Sequence, residues 1–173
     1  MCGVPFHAVD VYVAPLLQAG KKVAICEQLT EPGGKELVKR DVVRVITPGT
    51  VMDSEILEDS KSNYLCALYF NDKMGVAFCD ISTGEFVTTE LLPTAVGKDL
   101  QELLVSYKPA EILANADAMV FGDTLDCVKA GYTPKFSPYD EDHFNPKRAN
   151  EKLCRQYRVA TLDGFGLGAK LVP

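Results

Sequence analysis

Three strand-like runs, Tyr64 to Phe70, Gly75 to Ile81 and Glu85 to Leu91, follow one another with only Asn71-Asp72-Lys73 and Ser82-Thr83-Gly84 as polar breaks. This constrains the fold more than any other feature of the chain. A parallel crossover needs a dozen or more connecting residues, so breaks this short leave an antiparallel meander as the arrangement available. A meander with apolar residues throughout must be covered, and the sequence after it supplies the cover. Leu100, Leu103, Leu104 and Tyr107 recur at helical spacing, Glu111 to Ala114 reads as a short strand, and Asp117 to Val128 reads as a second helix. The predicted class is therefore α/β, with three antiparallel strands followed by alternating helices and strands.

Asn145-Pro146 predicts a further helix start, because Asn accepts from early backbone N–H groups and Pro is tolerated at the first helical position. The helix carries Ala149, Leu153 and Tyr157 on an apolar line, with Lys147, Arg148, Lys152, Arg155 and Arg158 around it and Glu151 as its sole acid. Five cations against one anion give +4 in a region that is otherwise acidic. The bland reading is a solvated face over the sheet; the functional one is a docking face for an acidic or mixed partner.

The first fifty residues have a different organisation. Pro5 to Gly20 reads as a helix with Val9, Tyr12, Val13, Leu16 and Leu17 on one face, interrupted by Pro15 and stopped at Gly20. Lys22 to Leu29 and Asp41 to Ile46 read as strands, with Pro32-Gly33-Gly34 and then Lys35, Lys39 and Arg40 between them. A turn at Thr47-Pro48-Gly49-Thr50 precedes the weakly periodic, acidic stretch Asp53 to Ser60, where the composition shift sets a domain boundary. The expected division is 1–50, a linker 51–62, and 63–173.

Charge follows that division. Residues 1–50 hold six Lys or Arg against five Asp or Glu, and residues 51–173 hold twelve against nineteen. Contact with phosphate needs cations that displace counterions, so a net −6 argues against a free-standing nucleic-acid binder. The six cysteines stand singly with no C-x-x-C pair, which favours reduced, buried thiols over a zinc site. No run of about 18 apolar residues and no cleavable leader pattern is present, so a cytoplasmic chain without a membrane span is expected.

Three blocks, MCGVPFHAV (Met1 to Val9), VAICEQL (Val23 to Leu29) and VVRVITPGT (Val42 to Thr50), resemble the end of the mismatch-recognition domain of the bacterial MutS family. The resemblance continues in order through GVAFCDISTGEF (Gly75 to Phe86), YKPAEIL (Tyr107 to Leu113) and LDGFG (Leu162 to Gly166). No single block is decisive, but their order is specific. It implies a piece of MutS: the C-terminal half of mismatch-recognition domain I over 1–50, then most of a ribonuclease H-like connector domain II. The family's Phe-Tyr-Glu wedge and its G-x-x-x-x-G-K-[ST] loop are not found, so this piece is expected not to be an enzyme, and no cofactor is assigned to it. ATP and Mg²⁺ belong to the parent protein.

The resemblance further implies mispaired or looped double-stranded DNA as the parent's ligand, MutL as a partner, a homodimeric parent, and association with the bacterial nucleoid during repair. Met1 lies in a loop that, in the family, runs near the minor groove of bent DNA. Lys35, Lys39 and Arg40 suit phosphate contacts beside the glycine turn. For MutL, the matching helix positions are Asn150, Glu151 and Lys152, with Arg155 one turn on. The competing class is a metal-dependent ribonuclease H-like nuclease built on Asp80, with Glu85, Asp72, Glu90 and Asp123 as the nearest candidate acids. These acids do not form a convincing inward-facing set, and the Asp80-Ile81-Ser82-Thr83-Gly84 run is better read as a strand end plus hairpin, with Asp80 or Ser82 satisfying local backbone donors.

Overall fold

A computed structural model of the chain describes residues 2–30, 38–51, 62–127 and 130–167. The chain divides into two compact units, Met1–Lys61 and Ser62–Pro173.

In the first unit a 3-10 turn, Phe6–Ala8, leads into α1 (Val9–Gln18). Val13 and Leu17 on α1 pack with Ile46 and Val51, and Val9, Val23 and Ile25 border that cluster. The buried stripe is narrower than the periodicity predicts, since Tyr12 and Leu16 are exposed. Gly20 ends the helix at φ 75°, a conformation glycine adopts without strain, and Lys21 N–H closes the turn on the Leu16 carbonyl. β1 (Val23–Gln28) and β2 (Arg40–Ile46) form a two-stranded antiparallel ribbon. Ile25 faces Arg44 while Cys26 faces Val42, so Val43 is an extra residue that bulges. Thr47 and Thr50 cap the 3-10 turn Pro48–Thr50 reciprocally, with Thr47 N–H donating to Thr50 Oγ1 at 2.9 Å.

The second unit is a five-stranded sheet in the order β5-β4-β3-β6-β7. β3 (Tyr64–Phe70), β4 (Met74–Asp80) and β5 (Glu85–Leu91) form the antiparallel meander. α2 (Val96–Tyr107) then carries the chain across, so that β6 (Glu111–Ala114) runs parallel to β3 and β7 (Phe136–Pro138) runs parallel to β6. Period-2 alternation decides which side is sealed. Cys66 and Leu68 of β3 and Met74, Val76 and Phe78 of β4 are buried together with Val96, Leu100 and Leu104 of α2. Each large aliphatic chain fully removed from water there contributes about 1.5–3 kcal/mol. Phe78 and Tyr107 stack with ring centroids 4.2 Å apart where the end of α2 meets the sheet.

The predicted helix Asp117 to Val128 is much shorter in the structure. α3 spans Ala116–Met119 and gives way to a 3-10 segment, Val120–Asp123. Gly122 lies in this segment against the Phe136 ring, where a Cβ would stand 3.2 Å from it, so glycine is what lets β7 come this close. β7 itself was not anticipated, and its Pro138 is tolerated because the strand lies at the sheet edge. Asn115 joins the two halves of the sheet: its Oδ1 accepts from Phe70 N–H (3.0 Å) and Ala118 N–H (3.2 Å), and its Nδ2 donates to the Phe70 carbonyl (2.9 Å).

Candidate functional site

The helix announced by Asn145-Pro146 is α4, Pro146–Tyr157. Asn145 Oδ1 accepts from Lys147 N–H at 3.1 Å and Arg148 N–H at 3.2 Å, and Pro146 occupies a first-turn position. At the other end Arg158 adopts φ 55° and its N–H reaches the Arg155 carbonyl. The two ends explain why so polar a segment stays helical.

No residue of α4 is buried. Ala149, Leu153 and Cys154 are half-buried, and Tyr157, expected on the apolar line, is turned outward against Phe165 with centroids 4.9 Å apart. Asn150, Glu151, Lys152 and Arg155 are exposed, on one helix. Arg148 reaches Asp142 at 3.4 Å, which offsets one of the five cations weakly because both side chains are largely in water.

Beneath α4 lies an apolar cavity of about 310 Å³. The strand register shows why it exists. Thr88, Ala77, Ala67 and Leu113 stand side by side on β5, β4, β3 and β6, so three small side chains in a row make a trough across the sheet. Tyr139, His143 and Phe144 wall it, and Lys152 and Leu153 of α4 overhang it. α2 thus buries one face of β3 and β4, and among the described residues α4 covers the other face only in part. The helix was legible in the sequence. The trough was not, although Ala67 and Ala77, small and on the same face of paired strands, were the available signal.

The residues expected to lie near DNA all belong to the first unit. Lys39 and Arg40 are exposed at the end of the β1–β2 ribbon where the two strands are connected, and Lys39 N–H donates there to Thr30 Oγ1 at 3.1 Å. Met1 and Lys35 lie outside the described residues.

Asp80 is fully buried at the end of β4. Its Oδ1 accepts from Ser82 Oγ (2.6 Å), Ser82 N–H (2.9 Å) and Thr83 N–H (3.4 Å), and its Oδ2 accepts from Asn63 N–H (3.0 Å). Burial pushes this carboxyl upward, but the hydrogen bonds from Ser82, Asn63 and Thr83 outweigh it and hold it below the usual carboxylate range. The acid that anchored the nuclease reading is thus committed to closing the β4–β5 turn and tying down the start of β3. Of its candidate partners, Glu85 accepts from Tyr64 Oη at 2.7 Å and Glu90 pairs with Lys73 at 2.6 Å. Among the described residues no group of three or more His, Cys, Asp or Glu is placed to hold a metal ion. No described helix is long and apolar enough to cross a membrane.

Comparison with known proteins gives two family matches in sequence order: MutS domain I over residues 1–55 and MutS domain II over residues 63–173. Among curated relatives, the chain is similar to the DNA mismatch repair protein MutS of Alkaliphilus oremlandii, at 37% identity over 96% of this chain and 19% of that protein. It is also similar to that of Acetivibrio thermocellus (41%, over 91% of this chain and 18% of that protein) and of Myxococcus xanthus (42%, over 96% and 19%). The chain spans about a fifth of the length of the curated relatives it matches.

Proposed function

Because the chain belongs to the MutS family of DNA mismatch repair proteins, we propose that it acts as scaffold and signal relay within a protein that binds mispaired or looped DNA. The second unit is the relay, a ribonuclease H-like connector in which three antiparallel strands precede two parallel ones. It docks MutL through α4, with Asn150, Glu151, Lys152 and Arg155 in the contact. The observation that carries this reading is α4 itself, a capped helix with no buried residue that presents cations from an otherwise acidic unit. Helices held this way serve partner recognition better than they serve a core.

The first unit contributes the rear of the mismatch-recognition domain. In the intact protein Met1 approaches the minor groove and Lys35, Lys39 and Arg40 approach the phosphates, and so few cations supply only weak, salt-sensitive affinity by themselves. ATP and Mg²⁺ act elsewhere in the parent homodimer. No observation favours the nuclease alternative, whose central acid is already engaged in four hydrogen bonds.

The test is a calorimetric titration of purified bacterial MutL onto this chain and onto a Lys152→Glu, Arg155→Glu variant. Both positions are exposed, so the fold is retained and binding is expected to weaken at least tenfold. Equal affinity in the two proteins removes α4 from the contact.

A further inference from the structure

Two features of the second unit are unexplained by a helix that merely covers a sheet. Among the described residues, the trough formed by Thr88, Ala77 and Ala67 is not filled by the side chains of α4, whereas Cys66, Leu68, Val76 and Phe78 on the opposite face of β3 and β4 are buried. Its lining is apolar enough that water gains little there, since a trapped water needs two to four polar partners. The volume, about 310 Å³, is roughly twice that of the ~150 Å³ apolar cavity known to admit benzene. At its rim stands Lys152, on a helix segment whose five cations face Glu151 alone.

We propose that this trough is the anchor pocket of the α4 docking face, and that its occupant is an acidic partner segment carrying one large apolar side chain. The anchor enters between α4 and the sheet, and flanking carboxylates meet Lys152 and the neighbouring cations of α4. This rests on the reading of α4 as the MutL contact and adds to it the chemistry of the segment recognised. The apolar part supplies affinity in a desolvated pocket, and the charges supply orientation and encounter rate. A cationic segment would meet repulsion at the rim, and a purely polar one would leave the trough unfilled.

Ala149 lies on α4 facing the cavity, so Ala149→Phe fills the trough from the helix side without altering charge. The same MutL titration is made with this variant, alongside thermal unfolding. The expected result is binding weakened at least tenfold, with a melting temperature equal to or above that of the unsubstituted chain. If Ala149→Phe does not fold, Ala149→Leu replaces it and a threefold or greater weakening is expected. Undiminished binding by a folded trough variant, with binding lost in Lys152→Glu, Arg155→Glu, overturns the anchor pocket and leaves helix docking in place. Undiminished binding in both variants overturns the docking reading as well. A dimer of this chain in sedimentation that Ala149→Phe dissolves would make a second copy the occupant, which also overturns the proposal.

Discussion

Asp80→Asn is nearly isosteric, yet it should be among the most damaging polar substitutions in the second unit. If the amide keeps its oxygen toward Ser82 and Thr83, its NH₂ group faces Asn63 N–H, which now donates 3.0 Å from the Asp80 carboxylate. Two donors then oppose each other where the side chain is fully buried. Flipping the amide is worse, since it turns NH₂ toward the Ser82 and Thr83 N–H groups and leaves only the Ser82 hydroxyl able to accept. A hydrogen bond to a charged group contributes about 1.5–3 kcal/mol, and a buried donor left without an acceptor costs about 1–3 kcal/mol. The expected loss at neutral pH is about 2–4 kcal/mol. With a urea dependence of about 2 kcal/mol per M, mid-range for a domain of this size, the midpoint falls by about 1–2 M. The chain has no Trp, so far-UV circular dichroism is the practical readout. The same bonds set a pH signature. A carboxyl held below its unfolded value stabilises fully above the ordinary Asp pKa of about 3.9 and loses that contribution as pH falls through the folded value. The gap between wild type and Asp80→Asn should therefore narrow below about pH 4. A gap under about 0.5 kcal/mol at pH 7, within the range of ordinary surface substitutions, or one that persists undiminished in acid, refutes this account of Asp80.

Asn115→Ala removes a helix cap and strips Phe70 N–H and C=O of a side-chain partner, and should cost about 2–3 kcal/mol; Asn115→Asp, which keeps the acceptor but not the donor, should fall between it and wild type in the same urea titration. The reverse order would place the main contribution in the donated bond. Native-state amide exchange should protect β3 and β4 far more than β1 and β2, because among the described residues the ribbon rests on four buried apolar side chains while the sheet rests on thirteen. Equal protection would mean that the first unit is held by something beyond its own core.

The strands were legible because alternation and polar breaks carry their own periodicity: Tyr64–Phe70, Glu85–Leu91 and Glu111–Ala114 have the bounds the residues predict. α4 was legible from its cap. The failures share a cause, which is that the deciding contact lies far off in sequence. Nothing near Asp117 says that the Phe136 ring will come to lie against Gly122. Phe136–Pro138 lacks the length to read as a strand, and is one only because β6 offers it an edge. Tyr12 and Leu16 have the right spacing for a buried face, but the small core beside them accommodates only Val13 and Leu17. At the docking face, charge could be read residue by residue. The trough depends on which small residues become neighbours across strands, and register is a property of the folded sheet.

β3 is the first element of its unit and also the middle strand of the sheet, bonded to β4 along seven residue pairs and to β6 along four. In mechanical terms, whatever is joined to the chain ahead of Tyr64 pulls on the strand held from both sides. A load along its axis meets both ladders together in shear, whereas an edge strand could be peeled away one bond at a time. Asn115 bolts the far end of that strand to α3. A displacement arriving through the backbone would thus load the whole sheet instead of unravelling it locally, a property that suits the relay proposed for this unit.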